Sequence, residues 1–297
     1  MPKHTNNHGI VVGVDGSAAS DAAVRWAAHD AVTRKTPLTL VHVVNPTVST
    51  WAQAPTLDRF AEWQEDEGRR ILADALKIAR DTANDNLPTP IDSELMVSAT
   101  VPTLADLSKT AELMVVGTYG RGALARGLLG SVSSELMRHS HCPVAVIRDE
   151  DPRMPHPAQA PVLLGTDGSP ASELATAIAF DEASRRHVDL IALHAWSDKE
   201  IFELPGLDWS LVKAEEERLL AEALAGYQER YPDVTVHRLV VCDRPARALV
   251  DTSESAQLTV LGSHGRGRLA GTLLGSVSNA VVQSVRMPVI VARPVEA

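Results

Sequence analysis

Two glycine loops, at corresponding places in the two halves of the chain, hold the residues best suited to chemistry. Nine residues separate Gly117-Thr118-Tyr119-Gly120 from Gly130-Ser131, and nine separate Gly262-Ser263-His264-Gly265 from Gly275-Ser276. Glycine has no Cβ, so phosphate oxygens can approach the backbone N–H groups closely. Each Gly-Ser pair precedes a helical run, and the unpaired N–H groups of a helix start attract anions. The pattern predicts a phosphate-binding loop that ends at a helix.

Neither loop is one of the two familiar phosphate loops. The chain has no Gly-Lys-Ser or Gly-Lys-Thr, so the lysine of a P-loop is missing, and no G-x-G-x-x-G follows the first predicted strand. Arginines within the loops could neutralise phosphate charge: Arg121, Arg126, Arg266 and Arg268. The alternative is that the glycines only form a tight strand-to-helix turn. Recurrence does not exclude this alternative, because duplication copies structural turns too.

An Asp-Gly-Ser triplet follows the first predicted strand of each half, at Asp15 and at Asp167. Each aspartate could bond a nucleotide or help to hold a metal ion. It could equally form an Asx turn or cap the next helix, since aspartate competes well for nearby amides. His42 and His194 occupy matching places in the second strand, where we expect a hydrogen-bonded structural histidine rather than a catalytic base.

The elements that position these residues repeat along the chain. Residues 9–20 resemble 162–172, and 113–133 resemble 258–278, which indicates a tandem duplication. A proline-containing segment predicts a linker at 151–160, between a first domain at 1–150 and a second at 161–297. In each half, apolar strand runs alternate with helical patterns. The predicted fold class is α/β, with two open Rossmann-like domains, each a five-stranded parallel sheet flanked by helices.

Composition narrows the class of partner. The formal net charge is −10, which disfavours nucleic acids and anionic lipid surfaces, and no run of residues is long and apolar enough to span a membrane. Two cysteines cannot build a disulfide framework, and the amino terminus lacks the apolar run of a signal peptide. We therefore expect a soluble, cytoplasmic protein with no nucleic-acid or membrane partner.

The aspartate after the first strand and the Gly-x-x-Gly-(nine residues)-Gly-Ser loop after the fourth resemble the ATP-binding branch of the universal stress protein family. The resemblance covers nearly the whole chain twice, and it is strongest to mycobacterial tandem members. It implies an adenine nucleotide α-hydrolase-like fold, with ATP in each half and Mg²⁺ or Mn²⁺ on the phosphates. It also implies a homodimer, an unidentified protein partner and a regulatory role in stress or dormancy.

The resemblance also implies which residues bind ATP. In the first half they are Gly13, Val14, Asp15, Val43, Val116, Gly117, Gly120, Gly130, Ser131 and Val132, with the backbone of Val43 meeting the adenine. In the second half they are Gly165, Thr166, Asp167, Ala195, Leu261, Gly262, Gly265, Gly275, Ser276 and Val277.

Three functions remain open on the sequence. The leading hypothesis is an ATP-binding regulatory protein, since no general base is shared by both halves and no catalytic residue is assigned. The others are a slow ATPase and a nucleotide-free dimerising scaffold. A Gly117→Ala substitution is expected to remove nucleotide binding from the first half and to leave the fold intact.

Overall fold

The computed structural model describes residues 8–46, 56–84, 90–120, 129–149, 159–196, 209–265 and 274–293. The chain forms two compact units that divide after Asp149. Several predicted features lie outside the described residues, namely most of the linker and the loop arginines Arg121, Arg126, Arg266 and Arg268.

The first unit alternates strands and helices along its described length. They are β1 (Gly9–Gly13), α1 (Ala18–Arg34), β2 (Leu38–Val44), α2 (Thr56–Ala83), β3 (Ile91–Val97), α3 (Thr100–Leu107), β4 (Ala111–Gly117), α4 (Ser131–His139) and β5 (Val144–Ile147). The strands pair in parallel in the order β3-β2-β1-β4-β5. The order reverses direction at β1, so a crevice opens at the carboxyl ends of β1 and β4.

The second unit repeats this arrangement. Its elements are β6 (Val162–Gly165), α5 (Pro170–Arg186), β7 (Leu190–Trp196), α6 (Trp209–Arg230), β8 (Val236–Cys242), α7 (Pro245–Ser253), β9 (Leu258–Gly262), α8 (Ser276–Ser284) and β10 (Val289–Ala292). Its strands are also parallel, in the order β8-β7-β6-β9-β10. The central strands of both units are built from buried aliphatic residues, as expected for a sheet covered on both faces.

The predicted fold class is confirmed, with two tandem five-stranded parallel sheets flanked by helices. One helix differs from its prediction. The apolar and polar pattern of the sequence predicts a short helix over Thr103–Lys109, but α3 covers Thr100–Leu107. Pro102 lies in the first turn of α3, where a helix has no need of the missing N–H group, so proline does not prevent the helix from starting earlier.

The two units pack their first two helices differently. In the first unit, Ala28 on α1 and Ala79 on α2 are completely buried. Phe180 occupies on α5 the position that Ala28 has on α1. The ring of Phe180 stacks on Tyr227 of α6, with 5.4 Å between centroids, and also contacts Tyr231. At these matched positions the first unit has small buried residues, whereas the second unit has stacked aromatic rings.

No helix in the described ranges combines the length and the apolar character that crossing a membrane would require.

Candidate functional site

A cavity of about 480 Å³ opens at the carboxyl ends of β1, β2 and β4 in the first unit. It brings together all the residues that the resemblance assigned to the first site: Gly13, Val14, Asp15, Val43, Val116, Gly117, Gly120, Gly130, Ser131 and Val132. The wall also contains residues that the sequence did not predict, namely Ser17, Ser20, Val41, His42, Thr100, Leu104, Tyr119 and Ser133.

The second unit has a smaller cavity of about 350 Å³ at the matching place. It likewise brings together the residues assigned to the second site: Gly165, Thr166, Asp167, Ala195, Leu261, Gly262, Gly265, Gly275, Ser276 and Val277. The residues that the sequence did not predict are Ser172, Leu193, Pro245, Leu249, His264 and Ser278. Both volumes fall within the range of small-molecule sites, roughly 300–1,000 Å³.

One end of each cavity is the start of a helix. Gly130 is the N-cap of α4 and Gly275 that of α8, and neither helix has an acidic residue in its first turn. The N–H of Gly130 donates to the carbonyl of Thr118 at 2.6 Å, which joins the residue before the helix to the end of β4. A helix start without a side-chain cap or a carboxylate presents N–H groups and positive potential to the cavity.

A serine in the first turn ties each helix to the strand before it. Ser133 donates its hydroxyl to the carbonyl of Gly117 at 2.7 Å, and Ser278 donates to Gly262 at 2.6 Å. Sequence reasoning selected only the first serine of each Gly-Ser-Val-Ser run. Because both serines recur in both halves, the repeat itself carried the signal that could have identified the second.

The two aspartates form Asx turns and also contact the glycine loops. Oδ1 of Asp15 accepts from the N–H of Ser17, and Oδ1 of Asp167 from that of Ser169, both at 3.0 Å. The cap of α1 is Ser17 rather than Asp15. A Cβ placed on Gly265 would lie 2.7 Å from Oδ2 of Asp167. The second carboxylate oxygen therefore lies against the loop glycine, at the edge of the cavity.

Beyond Val41, β2 continues past the end of β1, and no strand of the described part of the chain pairs with it on that side. Val14 N–H donates to the Val41 carbonyl at 2.9 Å, and the pairing of the two strands stops at Gly13 and Val41. β2 nevertheless pairs with β3 as far as Val44. Alternate residues of a strand direct their N–H and C=O groups to the same side. Val43 therefore presents its backbone N–H and C=O towards the cavity rather than to another strand.

In the second unit, β7 likewise continues past the end of β6. Thr166 N–H donates to the Leu193 carbonyl at 3.1 Å, and the pairing of β6 with β7 stops at Gly165 and Leu193. Ala195 thus presents the backbone groups that Val43 presents in the first unit.

His42 and His194 tie the second strand of each unit to the end of the first. Nδ1 of His42 lies 2.7 Å from the carbonyl of Val14, and Nδ1 of His194 lies 2.9 Å from that of Thr166.

The glycine loops differ at the position after Thr118 and Ser263. Tyr119 lines the first cavity, whereas His264 lines the second and contacts the hydroxyl of Ser263 through Nδ1 at 2.9 Å.

Arg148 directly follows β5, and Arg293 directly follows β10, although neither arginine is among the residues that line the cavities. Burial lowers the pKa of Arg148, which also interacts electrostatically with Tyr119. An arginine remains protonated at neutral pH despite such a shift. Sequence reasoning considered only the arginines inside the loops and missed this pair, although both follow the last strand.

Gly117 packs against α1, which changes what its substitution would report. A Cβ on Gly117 would lie 2.8 Å from the carbonyl carbon of Ala19 and 3.0 Å from its Cβ. We therefore expect Gly117→Ala to lower the free energy of unfolding by about 1–3 kcal/mol, the usual cost of overpacking. Urea denaturation followed by circular dichroism measures this change. The sequence-based expectation of an intact fold assumed that the new methyl group would contact only a ligand. It did not include the backbone of α1 at Ala19.

Gly226→Ala is the matched control. It lies within α6, and a Cβ there would meet nothing within 4 Å. Alanine should stabilise this helix position by up to about 1 kcal/mol. An unchanged unfolding free energy for Gly117→Ala would contradict the packing argument.

Comparison with known proteins was made on sequence and on fold. The sequence profile of the universal stress protein family matches residues 6–148 and again residues 160–293. Two universal stress proteins of Mycobacterium tuberculosis are 61% and 57% identical to this chain over 293 residues, 99% of the chain and 99% of each relative. The crystal structure of a universal stress protein from Archaeoglobus fulgidus has a TM-score of 0.72 at 17% identity, covering 97% of this chain and 99% of that one. This last similarity is one of fold.

Proposed function

The chain belongs to the universal stress protein family, and from that premise we propose that each of its units binds one ATP as a regulatory signal. The observation that carries the proposal is the cavity that recurs in both units, with a glycine loop and an acid-free helix start at one end and unpaired strand backbone at the other. If the glycine loop were only a structural turn, the unit would need neither the cavity nor the strand backbone exposed at the far end of that cavity.

The helix start fits the phosphates. The amides of the first turns of α4 and α8 lie beside Ser131 and Ser276, whose hydroxyls can donate to phosphate oxygens. The loop contains no P-loop lysine, so the grip depends on backbone N–H groups, the helix dipole and hydroxyls. Such a grip holds a triphosphate without an obvious means of cleaving it quickly.

The backbone N–H and C=O groups of Val43, where β2 extends past β1, fit the edge of adenine. The free N–H of Val43 can donate to N1 of the base, and its free C=O can accept from the N6 amino group. Guanine offers a carbonyl oxygen and a protonated N1 at these places, so acceptor would face acceptor and donor would face donor. Leaving such groups unpaired costs about 1–3 kcal/mol each. Ala195 supports the same selection in the second unit.

A divalent ion fits best as part of the bound nucleotide. Within the described ranges no cluster of three or more His, Cys, Asp or Glu side chains could hold a metal ion alone. Mg²⁺ commonly takes one or two carboxylates together with substrate phosphates. Asp15 and Asp167, which line the cavities, are the carboxylates that could complete its coordination. The ion would neutralise part of the phosphate charge, because a chain with a net negative charge cannot do so by its overall charge.

The regulatory part of the proposal concerns what reads the bound nucleotide. The nucleotide would stabilise one conformation of the loops and so select a protein partner, during stress or dormancy. A homodimer is the form in which we expect the chain to act. Slow hydrolysis of ATP is the competing function, which bound metal and the loop arginines could support.

Small molecules released from the purified, unfolded protein test the proposal directly. We expect mass spectrometry to find adenine nucleotides without guanine nucleotides. In calorimetric titrations of the emptied protein, MgATP should bind at least about tenfold more tightly than MgGTP, because each mismatched backbone group costs about 1–3 kcal/mol. Equal affinities would contradict the assignment of Val43 and Ala195 to the base. A protein that binds neither nucleotide would favour the scaffold.

A further inference from the structure

The two cavities differ in size as well as in their lining residues. The first has a volume of about 480 Å³ and the second a volume of about 350 Å³. The difference is close to the volume of an engineered apolar cavity, about 150 Å³, that binds benzene. The first cavity therefore has room for a group of roughly the size of an aromatic ring beyond what the second can hold.

Two leucine side chains fill part of the floor of the second cavity. Gly165, the last residue of β6, leaves a depression in this floor because it has no side chain. A Cβ placed on Gly165 would clash with Cδ2 of Leu261, and Cδ2 of Leu249 would lie only 2.8 Å away. Non-bonded carbon atoms in contact lie about 3.5–4.0 Å apart. The two leucines therefore occupy the space that the missing side chain leaves.

The same depression stays open in the first cavity. Gly13 ends β1 as Gly165 ends β6, and a Cβ on Gly13 would lie 3.4 Å from both Cδ1 of Leu104 and Cγ1 of Val116. A leucine lies over the depression in both units, but Leu249 comes closer to its glycine than Leu104 does. The residue types differ on the fourth strand of each unit, where Val116 stands one methylene shorter than Leu261.

The sugar of the proposed nucleotide would lie over this part of the first cavity. The base would meet Val43 on β2, and the phosphates would meet the start of α4, which follows β4. In the sheet β1 lies between β2 and β4, and neighbouring strands are about 4.8 Å apart. The edge of adenine that fits Val43 is opposite the bond to the ribose. The ribose would therefore lie above the end of β1, beside Gly13.

The surroundings of Gly13 favour an apolar group. Leu104 and Val116 are buried and present carbon atoms to the depression. A charged group such as a second phosphate would lose water there without a compensating partner, and Asp15 in the same cavity would repel it. An apolar group would instead gain from leaving water.

We propose that the first site also accepts adenine nucleotides that carry an apolar group on the ribose, whereas Leu261 and Leu249 exclude such nucleotides from the second site. This proposal rests on the proposed function, since it names the class of nucleotide that each site takes. ATP itself would occupy both sites, and a ribose-substituted nucleotide only the first. Val116 and Leu261 are then the residues that set the difference.

An ATP ester with one aromatic ring on its ribose, 2′/3′-O-(N-methylanthraniloyl)-ATP, is the probe. Calorimetric titration of the emptied, full-length protein should find two equivalents of MgATP but one tight equivalent of the magnesium ester. One methylene in an apolar pocket commonly changes discrimination by about 10–200-fold. The affinity for the ester at the second site should therefore be at least about tenfold lower than at the first.

Leu261→Val and Val116→Leu exchange the two residues. Relative to MgATP, the ester should bind the second site of Leu261→Val about tenfold more tightly, and the first site of Val116→Leu about tenfold more weakly. The ratio of the two affinities is the readout, because an effect on both nucleotides cancels in it. Leu211→Val, on an exposed part of α6, is the matched control and should keep the wild-type ratios. If Val116→Leu fails to fold, as circular dichroism would show, Leu261→Val carries the test.

The same ring attached to the base tests where the extra space lies. N6-benzyl-ATP would set its ring against the backbone of Val43 in the first unit and Ala195 in the second, so it should bind poorly to both sites. Tight binding of this analogue to the first site alone would place the space beside the base and overturn the assignment to the ribose.

The remaining outcomes separate this proposal from the proposed function. Two equivalents of MgATP with equal affinities for the ester at both sites, with no binding of the ester, or with ratios that the exchanged residues leave unchanged would overturn the proposal and leave the function standing. A single equivalent of MgATP would contradict the function in one unit and the comparison of two sites with it. If neither MgATP nor the ester binds, both the function and the proposal fail.

Discussion

Replacing Ser131 and Ser276 with aspartate should abolish nucleotide binding and leave both helices at least as stable as before. Each serine is the first residue of its helix and lines a cavity. A carboxylate in a first turn interacts favourably with the helix dipole, by about 0.3–1 kcal/mol. The same carboxylate would face the phosphates, and two like charges about 4 Å apart near a protein surface repel by about 4 kcal/mol. We expect affinity to fall about a hundredfold or more.

Calorimetric titration with MgATP and thermal unfolding of the same samples measure the two effects. Ser134→Asp with Asn279→Asp is the matched control, because these residues follow in the same helices but do not line the cavities. The control pair should retain binding. If the Ser131 and Ser276 variants bind ATP normally, the helix starts are not the phosphate grip. If they instead unfold at much lower temperature, the loops serve as structural turns.

The same double variant addresses hydrolysis. A true slow ATPase should lose its single-turnover rate together with its affinity. Activity that persists unchanged in a variant unable to bind ATP would come from a contaminant.

Phe180→Ala should destabilise the second unit by about 3–5 kcal/mol, the usual cost of removing a buried aromatic ring. The ring is completely buried and stacks on Tyr227, so its removal leaves a cavity between α5 and α6. Differential scanning calorimetry should show an earlier transition, and hydrogen exchange should assign it to the second unit. Tyr227→Phe keeps the stacking and loses only a hydroxyl contact to Glu173 of 3.2 Å, so it should cost far less. Equal effects of the two variants would contradict this view.

Much of the fold was predictable because its signals are local. Aliphatic runs predicted the central strands, such as β2 at Leu38–Val44, and the family resemblance implied part of the set of residues that line the two cavities. The backbone geometry that leaves Val43 unpaired depends on where the neighbouring strand ends. No periodicity within β2 encodes that length difference.

The features that the sequence did not predict arise from contacts between elements. Gly117 was interpreted as space for a ligand, yet the nearest atoms to its missing side chain belong to Ala19 on α1. Glu216 belongs to a charged run that reads as a solvated helix face, and only the packing of α6 over His194 brings its carboxylate inward. Position in a pattern shows which face a residue occupies, but not which residue it meets.

The alanine and aromatic helix pairs limit how the two halves of the gene can exchange sequence. Transferring α6 alone into the first unit would bring Tyr227 against a surface built for Ala79, and transferring α2 alone would leave Phe180 without its stacking partner. We therefore expect an exchange that carries both helices of a pair to preserve stability, and one that separates them to reduce it. As a result, we expect the helix pairs of the two units to diverge as blocks rather than residue by residue.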